Sequence, residues 1–181
     1  SNNIAMGNQA LYCNLTGSGN IALGSQSMEK NITGYLNIGI SCNAAYNNTT
    51  GTFNIAIGHN SLYCNSTSSN NIAIGCCAMA LCGVTGFGNI SIGKRAAYRM
   101  LDGSDNVNIG HGAGCRLTTA TGNVFIGHCA GYQACITSCN VGIGLFSLKK
   151  VGCTSGELGR YNQAIGDYSG IGVTTGCYNI F

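Results

Sequence analysis

An Asn-x-x-x-Gly core recurs along the whole chain, and its spacing constrains the fold more than any other feature. The cores read NIAMG from Asn3, NIALG from Asn20, NIGIS from Asn37, NIAIG from Asn54 and again from Asn71, and NISIG from Asn89. They continue as NVNIG from Asn106, NVFIG from Asn123, NVGIG from Asn140 and NQAIG from Asn162, with an eleventh opening at Asn179. Each step is 17 residues, except one of 18 after Asn71 and one of 22 after Asn140. A fixed short period specifies a stack of similar small units, not a domain built around one irregular core. Residues 1–181 therefore read as a single repeat array.

Counting each unit from its Asn as position one, positions two and four are apolar almost throughout, as in Ile55 and Ile57 or Val124 and Ile126. Alternation of period two predicts a β-strand that buries this apolar face. Position three is small in most units, which predicts close approach of another backbone on the opposite face; Asn108 and Phe125 break the rule. Position five is Gly in nine of the ten complete units, with Ser41 the exception, and predicts a positive-φ corner. Position eight is always Ala or Ser, a tight inward position. A Thr-Gly pair such as Thr33-Gly34 closes most units in a second turn. No window carries helical periodicity. The prediction is all-β: a parallel β-solenoid (a β-roll) of about ten coils, with strands about 4.8 Å apart along a rod of about 50 Å. Asn3, Asn20, Asn37, Asn54, Asn71, Asn89, Asn106, Asn123, Asn140 and Asn162 would then form a structural ladder, their amides bonding from coil to coil. A 17-residue coil encloses little, so several chains, three in this reading, are expected to pack side by side.

Composition narrows the function. Only 7% of residues are charged and the net charge is +3, while apolar residues reach 45%, so the chain is neither disordered nor a nucleic-acid binder. No apolar run is long enough to span a membrane. Five scattered acidic residues supply no catalytic pair and no calcium-binding β-roll pattern. The expectation is a non-catalytic protein without a cofactor. Twelve cysteines favour an extracellular disulfide framework; Cys64 with Cys82, and Cys135 with Cys153, lie at nearby positions of adjacent coils and are candidate bridges.

The units NIAIGHNSLY from Asn54 and NIAMGNQALY from Asn3 resemble the repeats of bacteriophage tail-fibre proteins and of trimeric autotransporter adhesin heads. The resemblance runs the full chain. It implies a trimeric parallel β-roll serving as the rigid shaft or adhesive head of an extracellular, cell-surface or virion fibre. Two other functions stay open: a module that binds a host-surface glycan or protein, and the subunit of an open, self-assembling filament.

Several residues are candidate sites. All three histidines, His59, His111 and His128, sit at position six, and His111 and His128 fall in neighbouring coils. They are a weak metal candidate, and no metal site is assigned. Asn14, Asn31, Asn48 and Asn65 lie in Asn-x-Thr sequons at position twelve. They are either N-glycan acceptors or the turn's own chemistry. The long step carries an insertion over 149–160 whose Lys149, Lys150, Glu157 and Arg160 form a candidate contact loop.

Overall fold

The computed structural model of the chain describes residues 2–81, 85–152 and 159–181. It is all-β. Ten three-residue strands, from β1 (Ile4–Met6) and β2 (Ile21–Leu23) through to β10 (Gln163–Ile165), pair in sequence order into one parallel sheet. Each repeat contributes one strand, and equivalent positions lie directly opposite: Ile55 against Ile72, Ala56 against Ala73, Ile57 against Ile74. The rest of each coil is turns, yet the coils stay joined by backbone hydrogen bonds. Position nine donates to the following coil (Met28 N to Ala44 O, 2.9 Å), as does position eleven (Lys30 N to Tyr46 O, 3.1 Å). Positions five and seven donate to the preceding coil (Gly24 N to Met6 O, 2.8 Å; Gln26 N to Asn8 O, 2.7 Å). The result is a β-solenoid with, among the described residues, a single sheet face.

The strand faces are the reverse of the sequence expectation. From Ile21–Leu23 to Val141–Ile143 the middle residue is fully buried, while the two aliphatic residues flanking it are only half-buried. Position three therefore points into the coil, and positions two and four form an outward aliphatic face. Space explains this. The interior must also hold the buried residue at position nine, and the two positions share one volume. Gly142 lies against Leu148, and buried Ala56 and Ala73 share their coils with buried Leu62 and Met79, but Asn108 is paired with Gly114 and Phe125 with Gly131. A Cβ on Gly131 would lie 2.6 Å from the Phe125 ring, and one on Gly39 would lie 2.8 Å from Met28 Cγ in the neighbouring coil. Asn108 and Phe125 thus belong to the interior rule: a large residue at position three is matched by glycine at position nine.

The corner at position five has φ between +124° and +136° at its glycines and +107° at Ser41. A Cβ there would also strike the next coil, 2.5 Å from Gly127 O in the case of Gly110. Positive φ is not confined to glycine. Positions seven and nine, and the residue just before the next coil's Asn, adopt it in every coil, carried by residues such as Gln26 (+57°), Met28 (+51°) and Leu36 (+55°). Left-handed geometry costs a non-glycine residue about 1 kcal/mol or more, so stacking against neighbouring coils must hold it in place.

Both irregular steps fall outside the described residues. Leu81 N bonds Tyr98 O across 17 residues, whereas Thr85 N bonds Leu101 O across the usual 16, so the extra residue enters between Leu81 and Thr85. Gly152 N reaches Thr174 O across 22 residues, and by Gly159 N to Thr175 O the offset is back to 16. The longer insertion therefore enters after Gly152 and before Gly159, within the expected 149–160 segment.

Candidate functional site

Two asparagine ladders run through the interior. At position one, each Asn side-chain oxygen accepts the backbone N–H of the next coil's Asn at 2.8–3.1 Å. Its amide nitrogen crosses its own coil to the carbonyl of position fifteen, as from Asn20 to Gly34 O and Asn37 to Gly51 O, both 2.8 Å. One side chain thus closes a coil and fixes it to the next, work that a hydrophobic residue cannot do. Asn140 departs from the pattern, giving its amide to Thr137 Oγ1 at 2.7 Å.

The second ladder argues against glycosylation at three of the four sequons. Asn31, Asn48 and Asn65 are completely buried. Their amide nitrogens bond the previous Asn oxygen at 2.7, 2.9 and 2.9 Å, and also the carbonyl three residues on, at 3.0–3.1 Å. Asn14, at the first coil, bonds Gly17 O at 3.1 Å. A nitrogen buried and twice hydrogen-bonded cannot accept a glycan in the folded chain, so the Asn-x-Thr-Gly pattern is the chemistry of the turn.

The cysteines do not form the expected framework. Nine described cysteines are free thiols, and Cys135 is one of them, its Sγ 3.2 Å from Gln133 O; the Cys135 to Cys153 bridge is corrected accordingly. Cys64 is not one of the free thiols. Cys82, Cys153 and Glu157 themselves lie outside them. Lys149 and Lys150 belong to a regular coil, with Gln133 N bonding Lys149 O at 2.8 Å and Lys149 Nζ 4.6 Å from the Phe146 ring. Arg160 is half-buried where the chain rejoins the stack.

The structure gathers chemistry at the corner formed by positions six and seven. His111 and His128 stack with ring centroids 5.0 Å apart, and Phe146 meets His128 edge-on at 5.5 Å. Buried Cys129 joins them, its Sγ 4.0 Å from His128 Nε2. Three coils earlier, His59 is joined by Cys76 and Cys77, whose sulfurs are 3.4 Å apart. In both clusters the donor atoms lie within 4.8 Å of one another. Burial pushes the Cys129 thiol above the usual range, with Lys149 opposing. Burial also raises Cys77, helped by the hydrogen bond to Cys76 and opposed by Arg95 and Lys94. Sequence reasoning found the histidine column but missed Cys77 and Cys129. The available signal was that Cys77 follows the coil of His59 in the same register in which Cys129 follows that of His111.

A tyrosine column occupies position ten, where Tyr46 and Tyr63 stack at 5.2 Å and Lys30 Nζ lies 4.9 Å from the Tyr46 ring. Partial desolvation and the Glu29 carboxylate hold the Tyr46 phenol above its usual range. The largest uniform feature is the outward sheet face, whose paired residues from β2 to β9 are Ile, Leu or Val without exception. No family model, curated protein or solved structure matches this chain.

Proposed function

We propose that the chain is a structural, non-catalytic element of an extracellular or virion fibre, and that further copies pack laterally against its sheet. The observation that carries this reading is the outward aliphatic face. Two apolar side chains per coil, over the nine strands from β1 to β9 about 4.8 Å apart, make a strip of about 400 Å². That is the size of the largest apolar patch on a soluble monomer, which is often an interaction site, and no charge interrupts it. A second copy is the occupant that fits, because identical repeats present the same face in the same spacing. Three copies is the number implied by the resemblance to tail-fibre and adhesin-head repeats. Regular backbone bonding between coils supplies the stiffness a shaft needs.

Particle mass by native mass spectrometry, with electron microscopy of the same sample, tests the reading. The expected result is rods with the mass of three chains. Ile57→Lys with Ile74→Lys, both outward on the sheet, should give monomers that keep the β-type circular dichroism. A wild-type chain that stays monomeric at tens of micromolar overturns lateral packing. Long filaments would favour the self-assembling subunit. A second reading, recognition of a surface glycan or protein, draws on the stacked Tyr46 and Tyr63 flanked by Lys30. Glycan-array binding lost in Tyr46→Ala and Tyr63→Ala would favour it.

A further inference from the structure

We propose that the chain binds zinc at two sites, one formed by His59, Cys76 and Cys77 and the other by His111, His128 and Cys129. Both are built by one two-coil device. A histidine at position six of one coil meets a position-six and position-seven pair in the next coil, Cys-Cys in the first case and His-Cys in the second. The backbone sets the register in the same way twice. Cys77 N donates to His59 O at 2.9 Å, and Cys129 N donates to His111 O at 2.9 Å. Cys77 (φ +58°) and Cys129 (φ +55°) share the left-handed conformation, so the Cα–Cβ bond leaves each corner in the same direction. Three donors on two adjacent coils, held by a backbone bond and repeated in one register, form a site, unlike a chance surface histidine.

The donor chemistry selects the ion. Imidazole nitrogen and thiolate sulfur without a carboxylate suit zinc, and exclude calcium and magnesium. Zinc bonds of about 2.3 Å to sulfur and about 2.0 Å to nitrogen put tetrahedral donors about 3.3–3.8 Å apart. The sulfurs of Cys76 and Cys77, at 3.4 Å, are within about 0.4 Å of the sulfur–sulfur spacing. Sγ of Cys129 and Nε2 of His128, at 4.0 Å, nearly do. His59 and His111 are exposed and free to turn inward. Three protein donors leave a fourth position for water or for a group from a neighbouring molecule. Lys94 and Arg95 occupy positions six and seven of the coil between the clusters, so the sites stay separate. Two thiolates neutralise the ion at the first site and one thiolate leaves a single positive charge at the second, so the first should bind more tightly. Each ion would join two coils of a thin solenoid, adding folding free energy where the interior is small.

The test uses the full chain, reduced, stripped with a chelator and titrated with zinc by calorimetry and native mass spectrometry. Cobalt(II) serves as a second probe, read through its thiolate charge-transfer absorption. Two equivalents are expected. Cys77→Ser should weaken the tighter one by about 100-fold or more, and Cys129→Ser or His111→Ala the other, while Cys135→Ser leaves both in place. Circular dichroism establishes that each variant is folded, and His111→Ala, at an exposed side chain, keeps the second site testable if Cys129→Ser misfolds. Failure to bind micromolar zinc, a single equivalent, or two equivalents unchanged in Cys77→Ser and Cys129→Ser would each overturn the proposal.

Discussion

The first four coils and the four from Asn89 to Gly152 share one backbone but fill position twelve with opposite chemistry. Asn14, Asn31, Asn48 and Asn65 build a hydrogen-bonded ladder there, whereas Met100, Leu117, Ala134 and Val151 are buried apolar residues. In the early coils the carbonyl of Gly51 accepts from both Asn37 and Asn48, so the two ladders meet on one acceptor. In the later coils the position-one Asn reaches the equivalent carbonyl alone, from Asn89 to Gly103 O at 2.7 Å and Asn106 to Ala120 O at 2.7 Å. The lesson is that this coil requires the position-one amide, while position twelve needs only a neighbour of its own kind above and below. A ladder residue is satisfied by identical residues; an apolar one is satisfied by volume.

Exchanging the two chemistries should therefore break whichever half receives the wrong one. Asn48→Leu leaves the Asn31 oxygen, an Asn65 N–H and part of the Gly51 carbonyl's bonding buried and unpaired. At 1–3 kcal/mol for each stranded group, the expected loss is about 3–6 kcal/mol. Leu117→Asn buries a new amide between Met100 and Ala134, at a cost of about 2–4 kcal/mol. Urea unfolding monitored by circular dichroism compares them. Equal, small effects would show that position twelve is not specified by its neighbours.

The repeat, the single parallel sheet and the corner glycines were legible because each has a signal in spacing or in a residue with unusual backbone freedom. The direction of the strand was not. Ile55 and Ile57 alternate with Ala56 whichever face is buried, and the usual rule puts the larger residues inside. Here the coil is too narrow for that rule, and only the pairing of Phe125 with Gly131 and of Asn108 with Gly114, six residues apart, reveals which face is interior. The left-handed residues were hidden too, since Gln26, Met28 and Leu36 carry no local preference for positive φ. Of the candidate site, the histidine column could be read from position six. Cys76 shares that position, but Cys77 and Cys129 lie one position on, and only the corner geometry shows that positions six and seven of adjacent coils converge.

The same volume rule links the halves and can be tested by moving one coil's solution into another. Phe125→Ala alone should cost about 3–5 kcal/mol through the cavity it leaves. Gly131→Leu alone should cost several kcal/mol, since even a Cβ would meet the Phe125 ring at 2.6 Å. Combined, they recreate the Ala56 and Leu62 pair of the fourth coil, whose Leu62 already adopts φ of +46°. Recovery of most of the loss in the double variant, as a coupling of at least about 2 kcal/mol, is the expected result; additive losses would disprove the shared volume.

The smallest effect concerns the polar residues that the later coils hold at position three. The Ser91 hydroxyl and both polar atoms of the Asn108 side chain are buried without a hydrogen-bond partner, in contrast to the fully bonded Asn31 and Asn48. Asn108 fills the space that Gly114 leaves open, so shape accounts for its size but not for its polarity. Asn108→Leu keeps the branching and the number of heavy atoms, at a larger volume, and removes two unpaired groups, so it should stabilise the chain by about 1 kcal/mol after the cost of the tighter fit. Thermal unfolding decides the point. If the variant is instead destabilised, the Asn108 amide has a bonding role, and the later half of the solenoid depends on polar ladders as much as the early half does.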